Sequence, residues 1–112
     1  MTTHHLNLAA MPFVSIADGN KTIESRLFDE KRQATQIGDH IIFTNRENSR
    51  ETIEVSVTNL FRHQTFHELF TAYPITAFGH ASVDNAKIEI DKFYTLEQQE
   101  QYGVLGIAFR KI

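Results

Sequence analysis

Three charged side chains, Lys21, Glu24 and Arg26, fall close together in the stretch Gly19-Asn20-Lys21-Thr22-Ile23-Glu24-Ser25-Arg26. An ammonium is a compact point charge suited to a phosphate or carboxylate. A guanidinium is a planar fork that binds phosphate bidentately or stacks on a base. Glu24 lies two residues from Arg26, hence on the same face of a strand. There it can hold the guanidinium, accept from a base amino group, or act as a general base. As an exposed pair with no further role, Glu24 and Arg26 would contribute under ~1 kcal/mol. Tyr94 and Tyr102 are the aromatic candidates, because a hydroxyl tolerates the wet edge of a cleft and each stacked base contributes ~1–3 kcal/mol. The nine Phe, at strand or helix spacing, read as core.

The six histidines do not form a ligand pattern. His4 and His5 are adjacent and point to opposite faces of a strand, and His63 and His67 straddle a helix start. No HExxH occurs. Without cysteine there is neither a disulfide nor a thiolate site. No metal and no cofactor are expected.

The elements that must position these residues follow from periodicity and capping. His5 to Leu8 alternates as a short strand. Met11-Pro12 opens a helix ended by Asp18-Gly19-Asn20. In residues 21–27, Ile23 and Leu27 share one strand face while Thr22, Glu24 and Arg26 share the other. A polar turn or short helix follows, then a strand over residues 40–44 and a polar hairpin tip over residues 45–51. Residues 52–61 alternate again, with Ile53, Val55 and Val57 on one face. Thr65 and Glu68 have capping-box spacing before Phe66, Leu69, Phe70 and Tyr73. Ser82 caps a further helix with the stripe Val83, Ala86, Ile90 and Phe93, although the alternation in residues 87–91 equally suits a strand. Thr95 and Gln98 cap a helix ended by Gly103, and residues 104–112 close the chain as an apolar strand. Strands outnumber the helices available to cross between them, which predicts an α+β fold: a small, mostly antiparallel β-barrel flanked by short helices.

At 112 residues, 41% of them hydrophobic, the chain is one domain over residues 1–112, too apolar for disorder. No run approaches a membrane span, and the opening residues lack a secretory pattern, so a cytoplasmic protein with no membrane partner is expected. The net charge is −3. Residues 21–50 carry +1 and the remainder −4, so any contact with nucleic acid is local and modest.

The octet fits GxKxxExR, and the chain thereby resembles the ASCH domain family. The preceding helix, Ile37-Gly38-Asp39 before Ile41-Ile42-Phe43, the stretch Gln64-Thr65-Phe66-His67-Glu68-Leu69-Phe70, and Tyr102-Gly103-Val104-Leu105-Gly106-Ile107 extend the likeness over nearly the whole chain. The resemblance implies a PUA-like barrel with a cleft beside the motif strand. It also implies a role in binding RNA or a nucleotide-like ligand there. Joined to the chemistry of the side chains, this makes Lys21, Glu24, Arg26, Tyr94 and Tyr102 the expected binding residues. Some relatives are hydrolases of modified nucleosides and others are reported to cut RNA. In the nucleoside amidohydrolases a lysine stands at the position of Lys21, but a threonine follows three residues later where this chain has Glu24. For Lys21 to act as a base its pKa must fall by ~3 units from ~10.4, about 4 kcal/mol, and a neighbouring carboxylate opposes that. Three readings follow: a binding module for RNA or a nucleotide, a hydrolase using Lys21 and Glu24, and a protein-interaction domain whose motif residues are structural.

Overall fold

The computed structural model describes residues 1–112. Five strands, β1 (Thr3–Leu8), β2 (Ile23–Leu27), β3 (His40–Asn45), β4 (Asn48–His63) and β5 (Val104–Lys111), form one sheet in the order β1-β3-β4-β5-β2. β1 and β3 are parallel and the other three pairs antiparallel. The sheet curls into a half-barrel, which brings its two edge strands together. Arg26 Nη2 on β2 donates to the Asn7 carbonyl on β1 at 3.2 Å. Lys31 Nζ, on the short helix α2 (Glu30–Gln33), donates to the His5 carbonyl at 3.5 Å. Side chains thus occupy β1 carbonyls that no strand pairs.

β5 explains the two cores. Its alternate residues Leu105, Ile107 and Phe109 face inward, packing with Leu6, Leu8, Ile41, Phe43, Val55 and Val57. Phe13 and Ile16 of α1 (Ala10–Ala17) plug that core. Val104 and Ala108 face the other way, onto a layer of helices: α3 (Phe66–Ala72), a 3-10 turn (Ile75–Phe78), α4 (Val83–Asp91) and α5 (Leu96–Tyr102). Burial on both faces is why β5 reads as an almost unbroken apolar run. Gly106 has no side chain because Leu69 occupies that space: a Cβ there would lie 2.9 Å from Leu69 Cδ1.

The α+β architecture agrees with the sequence pattern, and three local features differ from it. The hairpin turn is only Arg46-Glu47, not residues 45–51, because buried Asn45 closes it: its Oδ1 accepts the Glu47 N–H at 3.0 Å and its Nδ2 donates to Glu51 at 2.9 Å. β4 carries a bulge at Thr58, between the pairs Val57–Phe109 and Asn59–Ala108. One extra residue flips the alternation, so Leu60 joins the inner core and Phe61 the outer one. Third, residues 87–91 are helical and Phe93 is not part of the stripe. α4 ends at Asp91, the chain turns, and Phe93 is left 62% exposed while Tyr94 packs on Phe66. The N-caps form where they were expected, but the Thr65–Glu68 box closes by half, because the Glu68 carboxylate accepts from the Gln64 N–H at 3.1 Å and not from that of Thr65. Thr65 accepts from the Glu68 N–H, and Thr95 with Gln98 makes a reciprocal box. No helix is long and apolar enough to cross a membrane.

Candidate functional site

The register of β2 on β5 determines where the motif points. Glu24 lies opposite Ile107 and Arg26 opposite Leu105, so both charged side chains share the inner face of the half-barrel. Ile23, Ser25 and Leu27 face the helical layer. Lys21 precedes the strand and is held by its backbone, its N–H donating to the Ser15 carbonyl at 3.0 Å. Its aliphatic stem runs against Gly79. A Cβ at Gly79 would lie 3.3 Å from Lys21 Cδ and 3.4 Å from Ser15 Oγ, and Gly79 also has a φ of +84°, which favours glycine.

Glu24 is buried, and every lone-pair direction of its carboxylate has a use. Oε1 accepts from Lys21 Nζ at 2.9 Å and from the Ser25 N–H at 3.1 Å. Oε2 accepts from Arg26 Nε at 3.1 Å and lies 3.0 Å from Arg26 Nη2. Burial alone would raise its pKa, but the charges of Lys21 and Arg26 and their hydrogen bonds outweigh it and bring the carboxyl down to about 2. For Arg26, burial opposes the charge while Glu24 and the facing Tyr94 hydroxyl favour it, and the balance raises its pKa. Glu24 is therefore the anchor that aims two cations. Lys21 has N–H groups that Glu24 does not use, and Arg26 Nη1 bonds neither Glu24 nor Asn7.

These cations form the floor of a cleft of about 450 Å³. Tyr94 lines it, as expected from its type. Tyr102 does not: it ends α5 and packs, half-buried, against the outer core. The structure brings in four residues that sequence reasoning did not select: Arg46 from the hairpin turn, His80 from the loop before α4, Met11 from the first turn of α1, and Phe93. Met11 (84% exposed) and Phe93 are large apolar side chains left open at the cleft. His80 is pushed below its ordinary pKa, first by burial and then by the charge of Lys21, and its Nδ1 lies 3.4 Å from Asn85 Oδ1. Only the Gly79-His80 pair could have signalled it, through a glycine next to a titratable group. The other histidines are dispersed; His4 pairs with Asp39, for instance, and His40 with Glu54.

The chain is similar over nearly its whole length to solved proteins. Hypothetical protein PH0355 superposes with a TM-score of 0.87 at 29% identity, covering 99% of this chain and 100% of that one. A protein from Pyrococcus furiosus gives a TM-score of 0.77 at 25% identity, covering 99% and 98%. An ASCH domain from Lactobacillus crispatus shares the fold at a TM-score of 0.68 and 11% identity, covering 96% and 79%. No curated protein matches the chain. The ASCH domain model matches residues 6–112, which takes in the octet, both cores and the cleft. On that match the chain belongs to the ASCH domain family.

Proposed function

We propose that the cleft binds RNA or a nucleotide-like ligand, admitting one nucleotide unit at a time. The observation that carries this is the Lys21–Glu24–Arg26 triad on the cleft floor. Its net charge is positive, and because Glu24 is spent on its neighbours, the triad faces a ligand with donors alone. Such donors suit carbonyl and phosphate oxygens. Tyr94, Ile90 and Phe93 supply flat and apolar surface on the same cleft, and its volume falls in the range of small-molecule sites. Acidic Glu24, Glu47 and Glu89 balance Lys21, Arg26 and Arg46 around it, which argues against a long phosphate track.

A hydrolase acting on a modified nucleoside or RNA is the second reading, and His80 favours it. Its pKa is pushed down, first by burial and then by the charge of Lys21, which favours the neutral ring, and its Nδ1 lies 3.4 Å from Asn85 Oδ1. Glu24 is a poorer base than the sequence alone implied, and Lys21 is tied to it as an ion pair. Taking a proton from Lys21 would break the 2.9 Å pair, and the Glu24 oxygens are already engaged.

Thermal unfolding with nucleosides, nucleotides and short single-stranded RNAs at low salt tests the proposal. A ligand at ~100 times its dissociation constant adds roughly 2.7 kcal/mol. The shift should vanish in both Lys21→Ala and Arg26→Ala, read against each variant's own unliganded Tm. Turnover lost in His80→Gln with binding intact would select the hydrolase. No shift with any of these ligands would overturn the binding reading and leave a protein-interaction domain.

A further inference from the structure

Arg46 differs from the other cations of the cleft. It holds the first position of the β3–β4 turn, and its N–H donates to the Leu8 carbonyl at 2.7 Å. That places its backbone beside Asn7, whose carbonyl takes the Arg26 guanidinium at 3.2 Å. Buried Asn45 braces the turn from within. The Arg46 side chain is exposed, lines the cleft, and takes part in none of the ion pairs of the protein. Lys21 and Arg26 are the reverse: largely buried, with Glu24 at 2.9 and 3.0 Å.

This contrast favours Arg46 over the floor as the partner of a charged phosphate. At the floor it would lose its water and stand against the Glu24 carboxylate. At Arg46 it meets a free guanidinium fork while staying hydrated. A base edge, carrying no net charge, suits the floor, where Lys21 and Arg26 offer donors to its carbonyl or ring nitrogen. We propose that the ligand is a nucleotide rather than a nucleoside, its phosphate on Arg46 at the mouth and its base edge on Lys21 and Arg26 at the floor. The proposal rests on the binding reading above. Glu47, the next residue of the turn, also lines the cleft and opposes the phosphate, whereas Glu89 is held by Lys92 at 3.0 Å.

Calorimetric titration at low salt with the four common ribonucleosides, their 5′-monophosphates and the corresponding dinucleoside phosphates tests it. A monophosphate should bind about tenfold or more tighter than its nucleoside. Arg46→Ala should bring the two to the same affinity, and Glu47→Gln should widen the gap. A dinucleoside phosphate that gains as much as the monophosphate assigns Arg46 to a phosphodiester of a chain; a gain confined to the monophosphate assigns it to a terminal phosphate. Equal affinity of nucleoside and monophosphate in the unmodified protein would overturn the proposal and leave the binding reading intact. So would a preference that survives Arg46→Ala and disappears in Arg26→Ala. Failure of every compound to bind would overturn both.

Discussion

Replacing Glu24 by Gln removes the only charge that compensates Lys21 and Arg26, while the burial of both remains. Breaking a buried ion pair from one side costs about 3–5 kcal/mol, because the surviving charge is left uncompensated. Glu24→Gln should therefore lower the urea midpoint strongly. Lys21→Met should lower it less, since Arg26 still neutralises Glu24 at 3.0 Å and the methionine can fill the channel beside Gly79. Equal losses in the two variants would mean that Glu24 does not anchor both cations. The same logic separates Glu24 from a catalytic base: its carboxylate is exhausted by structural bonds before a ligand arrives.

At the scale of elements, the sheet and its helical layer come into close contact where Leu69 of α3 meets Gly106 of β5. A Cβ at position 106 would come within 2.9 Å of Leu69 Cδ1. Overpacking of this kind costs about 1–3 kcal/mol. Gly106→Ala should be destabilising by that amount in the native background and close to neutral in a Leu69→Ala background. A double-mutant cycle by chemical unfolding measures the difference. Additive effects would show that the two elements adjust independently and that the glycine serves another purpose. β4 poses the complementary case, in which the bulge at Thr58 lets one strand feed both cores.

For the whole molecule, two buried carboxylates set the response to acid. Glu24 holds β2 to the cleft. Asp39 ties the start of β1 to the start of β3, accepting from the Thr2 N–H at 3.0 Å, His4 Nε2 at 2.8 Å and the Gln36 N–H at 2.9 Å. Burial raises the Asp39 pKa, but these hydrogen bonds prevail and bring it to about 2 from an ordinary 3.8, as Glu24 comes to about 2 from 4.5. A folded pKa below the unfolded one stabilises the protein above the unfolded value, and that stability disappears as pH falls through the folded one. Between them the two groups contribute a few kcal/mol, lost from about pH 4.5 down to about pH 2. His80, also depressed, adds an earlier loss that begins as pH falls below its ordinary 6.5. Thermal unfolding across pH 2–8 should show both phases. His80→Gln should remove the earlier phase and Asp39→Asn should reduce the later one. A Tm that stays level from pH 5 to pH 2 would contradict the account of the carboxylates.

Much of this was legible in the residues alone. Alternation in residues 22–27 already placed Glu24 and Arg26 on one face and Ile23 and Leu27 on the other, and the register on β5 agrees. Ser82, Thr65 and Thr95 marked their helix starts because a cap is a local hydrogen bond, complete within four residues. Periodicity reports the faces of a single element, and the cleft is not built from one. Arg46, His80, Met11 and Phe93 reach it from four separate segments, and Tyr102 is kept from it although its type matches that of Tyr94. The bulge at Thr58 and the turn after α4 depend on which surface each segment meets, and alternation within the segment contains no record of that. The burial of Lys21 is likewise tertiary, since it requires Gly79 against its stem and Glu24 at its head. The sequence by itself determined which side chains carry the charge and which face of the strand they occupy. Only the tertiary structure decided that the local Lys21–Glu24–Arg26 cluster is buried and aimed into a cleft, and that Arg46 is the cation of that cleft left unpaired, because burial and the cleft are made by segments far apart in the chain.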